Sequence, residues 1–293
     1  MARIRKRSAL LRKTAAYAAL VLAALYSAWP IFVMALRGYN ISLSQLFLPA
    51  KQIFIGPALA GPTPVHYLDA LSLNEFPARL GDTLAISAIS IAIALAVGVT
   101  VAYALARLPI RGKGVVSYVL LALTALFPFS VLAPLYVIFT QDGLWDTYVG
   151  VALAEELVIL AVVVWMLRSF FSDIPREIYD AAAAFGASEG QIFRRVALRM
   201  VLPGVAVTVL FAFILVWNEF AIADVLTGTA IRTVTVGVWT GLGGTPVSIR
   251  PVINFDDINA AGLLDWIPAI AVMLGIRRYL AKGYSLGTAN SRA

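Results

Sequence analysis

The chain has no cysteine among its 293 residues, so neither disulfides nor thiolate metal ligands enter its architecture. It has one histidine, His66, in a stretch expected to lie outside a membrane, where a lone imidazole is expected to be a solvated surface group and not a ligand. Charge is scarce: 13% of residues are Asp, Glu, Lys or Arg, about half the share carried by a water-soluble domain. No Gly-x-x-x-x-Gly-Lys-Ser/Thr phosphate loop occurs; Gly112-Lys113-Gly114 is a basic turn. Clustered His or paired Asp at helical spacing are missing, and no nucleophile–base set assembles, so an intramembrane enzyme is set aside. No catalytic residue, no metal ligand and no cofactor of the chain's own is expected.

What remains is apolar. Hydrophobic residues make up 61% of the chain and mean hydropathy is +0.87. Lipid as solvent suits that composition, and it requires every backbone N–H and C=O to be satisfied internally, which favours helices. Apolar runs at 14–36, 83–106, 114–141, 147–167, 200–218 and 260–276 are each matched to a bilayer core of roughly 30 Å. The fourth run carries Glu155 and Glu156, and the sixth tolerates Asp265. Pro134 and Pro268 are expected to kink their spans. The expected fold class is all-α, a polytopic membrane protein with six transmembrane helices.

Basic residues set the orientation. With the N-terminus cytoplasmic, eighteen Lys and Arg fall in cytoplasmic segments against five outside, namely Arg37, Lys51, Arg79, Arg232 and Arg250. The net charge of +7 then reflects topology and anionic lipid heads, not nucleic acid. The basic n-region at Met1–Arg7 resembles a secretory signal, but the apolar run behind it is too long for a cleavable one, so an uncleaved first helix is expected. Two external stretches, 37–82 and 224–259, are rich in Pro and Gly: Pro49, Pro57, Pro62 and Pro64 in the first, Gly241, Gly243, Gly244, Pro246 and Pro251 in the second.

The loop after the fourth span is long enough to need structure of its own. Ser172 or Asp173 suits an N-cap and Pro175 an opening turn. Asp180 to Ala184 is helix-forming, Gly186 supplies a left-handed reversal, and Ser188 with Gln191 makes a capping box. Arg194, Arg195 and Arg199 hold the second helix at the interface. A helix–turn–helix is predicted there.

Asp180-Ala181-Ala182, with Gly186 six residues after the Asp and Leu202-Pro203 sixteen and seventeen after the Gly, resembles the Glu-Ala-Ala loop of the membrane-spanning subunits of binding-protein-dependent ABC importers. The likeness extends over nearly all of the chain after residue 80. It includes Ala102-Tyr-Ala-Leu-Ala-Arg-Leu108, Pro134-Leu-Tyr136, Gly143-Leu-Trp-Asp-Thr-Tyr148, Trp217-Asn-Glu-Phe220 and Arg278-Tyr-Leu-Ala-Lys-Gly283. Together these look like the maltose-type carbohydrate permeases, in particular the smaller, six-span maltose permease subunit. Asp180 stands where Glu is usual, Phe185 where an Asp commonly precedes the Gly, and Arg199 where Pro is frequent; Glu155 and Glu156 fall at usually uncharged positions.

The resemblance implies a type I ABC importer permease fold. It divides the chain into a first helix within 1–36, an extracytoplasmic segment 37–82, a permease domain 83–280 with a coupling loop at 170–199, and a cytoplasmic tail 281–293. It implies that Asp180, Ala181, Ala182, Phe185, Gly186 and Ala187 dock in a separate ATPase, which binds ATP and Mg. Further implied partners are a second homologous permease, a second ATPase copy and an extracytoplasmic sugar-binding protein, approached by the 224–259 loop; the location implied is the inner membrane of a prokaryote. For the substrate pathway, the residues themselves nominate Glu155, Glu156, Trp217, Asn218, Glu219, Asp265 and Trp266. Two readings of the Glu pair stay open: contact with substrate hydroxyls, or a polar partner on a neighbouring helix. The Trp residues are read first as interfacial anchors. Competing functions are a permease for amino acids, peptides or glycerol phosphate, and a proton-coupled secondary transporter using Glu155 or Glu156.

Overall fold

A computed structural model describes residues 2–39, 41, 63–72, 76–125, 131–239 and 255–289. The prolines at 49, 57 and 62, the glycines at 241, 243 and 244, and Pro246 and Pro251 lie outside the described residues, as do 126–130 within the third expected span. The described elements are all helical, and the chain divides into two compact units, each taken by itself below.

The first unit contains residues 1–76 and 238–265. Helix α1 (Ala2–Gly38) presents its apolar side chains outward over the membrane-length stretch Lys13–Gly38, with Tyr17, Leu20 and Tyr26 well exposed. It packs against α12 (Phe255–Leu264), which also contacts the short α2 (Val65–Ser72). Polar ties close this unit: Arg37 pairs with Asp256 at 3.6 Å, and Nδ1 of His66 lies 2.7 Å from Oδ1 of Asp257. His66 is 7% exposed, so the expectation of a solvated surface histidine is corrected. A buried imidazole requires a partner, and a carboxylate 191 residues away in sequence supplies it. With Asp69, His66 and Asp257 place ligand-type atoms within 4.8 Å of one another.

The second unit, residues 77–237 and 266–293, carries most of the core. Helix α3 (Phe76–Arg107) has 32 residues and α6 (Tyr148–Ser172) has 25, giving lengths of roughly 48 and 38 Å, ample for a bilayer. Between them lie α4 (Lys113–Ala125) and α5 (Leu132–Gln141). After α6 come α7 (Arg176–Ala184), α8 (Glu189–Met200), α9 (Leu202–Trp217), α10 (Ala221–Leu226) and α11 (Val234–Trp239). Helix α13 (Trp266–Ala289) packs along α9, which packs along α6. Four stretches, 13–38, 76–107, 148–172 and 256–277, are long and apolar enough to cross a membrane, and α8 with α9 forms a fifth, bent by 70°. The remaining expected span, 114–141, is represented by α4 and α5 on either side of residues outside the described set.

Local chemistry refines several expectations. Pro134 stands third in α5, and Pro268, inside the 256–277 span, lies three residues after the one-residue turn at Asp265 that separates α12 from α13, so that span is interrupted just ahead of its proline. Neither Ser172 nor Asp173 caps α7: Ser172 ends α6, Asp173 is its C-cap, and Pro175 itself stands at the N-cap without a side-chain bond. Met200 belongs to α8, and α9 starts at Leu202 because Pro203 suits a first turn and cannot continue the helix before it. Small residues set the α6–α9 spacing. A Cβ on Gly204 would lie 2.4 Å from the ring of Phe170, so the two helices approach as closely as that glycine allows. Gly204→Leu is expected to lower stability by about 2 kcal/mol through overpacking, read as a reduced melting temperature of the detergent-solubilised protein, with Gly204→Ala milder.

Candidate functional site

The predicted helix–turn–helix is present. Helix α7 has no fully buried residue, and Phe185, which follows it, is 94% exposed. Its end is a Schellman turn: the N–H of Gly186 donates to Ala183 O at 2.9 Å and that of Ala187 to Ala182 O at 3.1 Å. Gly186 sits at φ +81°, a conformation that a side chain resists. Ser188 opens α8, and its N–H donates to the Gln191 side chain at 3.0 Å, within the capping box expected from sequence. Six residues of α8, Ile192–Ala197, are π-helical, a local widening that sits just before the 70° bend into α9. The hairpin therefore offers a short helix, an exposed ring and a tight glycine turn on one projecting tip.

One face of α3 holds this hairpin. Nη2 of Arg107 donates to Phe171 O at 2.6 Å, in the last turn of α6, and also to Ile174 O. Its guanidinium carbon lies 4.2 Å from the centre of the Tyr179 ring on α7. One turn earlier, Tyr103 meets Phe171 edge-on at 5.5 Å and Phe193 of α8 at 4.8 Å, and its hydroxyl donates to Glu189 at 3.4 Å. An open cleft of about 550 Å³ lies at the junction, lined by Arg107, Asp173, Pro175, Arg176 and Glu177 among others.

The acidic residues of the spans divide. Glu155 is 2% exposed and accepts a 2.5 Å hydrogen bond from Ser90 on α3, the polar-partner reading of the two left open by the sequence. Glu156 is partly exposed, yet both its carboxylate oxygens are shielded and have no hydrogen-bond partner among the described residues. Glu219 caps α10, accepting from the N–H groups of Ile222 at 2.8 Å and Ala223 at 3.0 Å. Asn218 donates to Ile214 O at 2.8 Å at the end of α9. Trp217 is 2% exposed and stacks on Phe213, so an interfacial anchor is corrected to a core residue. Trp266 is exposed at the start of α13, and Asp265 occupies the turn before it.

At the opposite end of α3 a second set of polar contacts gathers the chain. Asp146, at φ +58°, accepts from four successive backbone N–H groups, Gly228 to Ile231, at 2.7 to 3.2 Å. Asp82 accepts from Arg232 N at 3.0 Å and from the Tyr148 hydroxyl at 2.6 Å, and Thr83 accepts from Val234 N at 2.9 Å. The indole of Trp145 donates to Val225 O at 3.2 Å.

A family model described as the binding-protein-dependent transport system inner membrane component matches residues 94–277. The chain belongs to this family. It is 29% identical over 264 residues to the probable ABC transporter permease protein y4oR of Sinorhizobium fredii, covering 89% of each chain. It is 31% identical over 213 residues to the trehalose transport system permease protein SugB of Mycobacterium tuberculosis, covering 72% of this chain and 76% of that one. Among solved structures, a bacterial ABC transporter involved in the import of the acidic polysaccharide alginate contains a chain of similar fold. There the TM-score is 0.72 and the identity 21%, over 94% of this chain and 98% of the other. The family and the apolar helices make this a multi-pass inner-membrane permease.

Asp180, Ala181, Ala182, Phe185, Gly186 and Ala187 of the permease lie together on the projecting hairpin. Of the nominated pathway residues, Glu155 and Trp217 are buried, Glu156, Glu219 and Asp265 are partly exposed, and Asn218 and Trp266 are exposed. Sequence reasoning missed Arg107, Tyr103, Asp82 and Asp146 as organising residues. Two signals were present, the Tyr and Arg four apart near the end of an apolar run, and an Asp in a Gly-Leu-Trp-Asp-Thr-Tyr turn.

Asp146 also fixes a pH dependence. Burial pushes its carboxyl up, but the four N–H donors together outweigh that, and the net effect is a value below the ordinary 3.8. A depressed carboxylate contributes stability that is complete above the unfolded value and is lost as pH falls through the folded one. Asp146→Asn is therefore expected to lower the melting temperature at pH 7, with the wild-type advantage shrinking below about pH 4. A difference between the two proteins that stayed constant down to pH 3 would contradict this.

Proposed function

We propose that this permease is one membrane-spanning half of an ATP-driven importer that carries a mono- or oligosaccharide into the cytoplasm. The observation that carries the reading is the projecting hairpin of α7, Phe185 and Gly186 in a chain of this family. An almost fully exposed Phe on a helix with no buried residue is suited to a groove in another protein, where covering it is worth about 1.5–3 kcal/mol. Ala181 and Ala182 keep that helix slim, and the φ of Gly186 lets the turn follow it closely. The partner is an ATPase that binds Mg and hydrolyses ATP, present in two copies and joined by a second permease and an extracytoplasmic sugar-binding protein. The N- and C-termini face the cytoplasm, consistent with eighteen basic residues on that side and five on the other.

Sugar as cargo is supported by the trehalose permease among the relatives and by the carbohydrate-type motif order. The route runs past Glu156, whose shielded, unpartnered oxygens suit hydrogen bonds from hydroxyls; Trp266 and Asp265 lie near the start of the last helix. Glutamate as a proton carrier finds less support, because Glu155 is engaged by Ser90 and the hairpin would then have no role.

Two experiments test this. Gly186→Val forces a β-branched residue into a left-handed turn at a cost of about 1–3 kcal/mol and is expected to strip at least nine-tenths of the ATPase from the purified complex while the permease itself still folds. Full retention of ATPase, with uptake intact, would overturn the docking assignment. For the route, Glu156→Gln is expected to weaken apparent affinity about tenfold, the loss of one charge-assisted hydrogen bond, in uptake of whichever sugar the binding protein retains. Glu155→Gln should leave that affinity unchanged. Identical affinities in both variants would remove Glu156 from the route.

A further inference from the structure

We infer that Arg107 is a positioning residue that makes α3 and the docking hairpin move as one stiff body, so that motion of an attached ATPase enters the membrane through α3 first. The inference rests on the reading of α7 as the docking helix.

The first helix of the hairpin has little packing of its own to hold it, whereas α8 buries Ile192 and Ala197. Helix α7 buries no residue fully, its Ile178 and Tyr179 only lean on the core, and an open cleft separates its first turn from the end of α3. Arg107 reaches across this junction. One guanidinium binds a carbonyl in the last turn of α6, another in the link at Ile174, and the ring of Tyr179 on α7. The carbonyls concerned lie in the last turn of α6 and just past it, where intrahelical donors run out, so the cation satisfies acceptors and favours the helix dipole at once. Tyr103 sits four residues earlier on the same face and grips α8 through Phe193 and Glu189. One stripe of α3 therefore holds both helices of the hairpin.

The covalent route from the hairpin onward is built differently. It passes through the π-helical turns Ile192–Ala197 and then the 70° bend at Val201. Widened turns and a sharp bend yield more readily than a guanidinium that bonds two carbonyls through Nη2 and stacks on a ring. A displacement of α7 thus meets a stiff connection to α3 and a compliant one to α9. Lysine would not fully reproduce this, because an ammonium on a flexible stem lacks the planar face that stacks on Tyr179.

The chain has no cysteine, so within it introduced pairs report only the chosen positions once it is labelled before assembly with its partners. Ala88, exposed on α3, and Arg176, exposed at the start of α7 and away from the docking turn, are replaced by Cys and spin-labelled in the full complex with its ATPase, and their distance is measured without nucleotide and with ATP under non-hydrolysing conditions. In the otherwise native complex the distance should stay constant. With Arg107→Gln it should shift by more than about 2 Å or broaden on ATP binding, with the ATPase still bound in native amount; Arg107→Lys should fall between. Tyr179→Leu, which removes only the stacked ring, should show the same change in smaller degree. A native-like constant distance in Arg107→Gln and Tyr179→Leu would overturn the inference, as would movement in the native pair. Loss of the ATPase from Arg107→Gln would also overturn it, by making Arg107 part of docking itself. Absence of ATPase from the native complex would instead sink the docking reading.

Discussion

A helix that ends at a membrane interface leaves up to four carbonyls or N–H groups without partners, and inside a packed assembly water is a poor substitute. This permease spends much of its scarce charge on that problem. Arg107 takes carbonyls at the end of α6 and just past it, Glu219 takes the first N–H groups of α10, Asn218 takes a carbonyl at the end of α9, and Asp146 gathers four N–H groups of the segment after α10. Each of these contacts joins a local need to a distant piece of chain, or fixes the start of the next helix. The bundle is shaped by its helix ends as much as by its apolar faces.

The two ends of α3 show the consequence. At its first turns, Asp82 and Thr83 bind the 232–234 segment, while Tyr148 ties Asp82 to α6. At its last turn, Tyr103 and Arg107 bind the hairpin. Between them lies the Ser90–Glu155 hydrogen bond to α6, and an apolar core formed with Val163, Leu167 and Ala212. Helix α3 is therefore polar-clamped at both ends and packed between, the arrangement expected of an element that transmits displacement without bending. The α8–α9 segment, with its π-helical turns and bend, has the opposite character.

Much of this was legible in the amino-acid string because lipid imposes strong rules. Scarcity of charge, apolar runs of bilayer length and the asymmetry of Lys and Arg follow from solvation alone and need no partner contacts. The hairpin was legible for a related reason: Gly186 and the Ser188–Gln191 box act within a few residues, so local sequence carries them. The errors share a cause as well. His66 and Trp217 were assigned by what such residues do when nothing else is known, and each was buried by a neighbour, one of them 191 residues away.

The sequence by itself determined that this protein lives in a bilayer as helices and that a short helical hairpin projects between two of them, since hydropathy and turn chemistry act over a single run of chain. Only the tertiary structure decided which charges are free to act. Glu155 and Glu156 are adjacent and chemically identical, yet one is closed against Ser90 and the other left unpaired, because consecutive helix residues point about 100° apart. Arg107 likewise looked like one more interfacial cation until folding brought the end of α6 and the ring of Tyr179 to it.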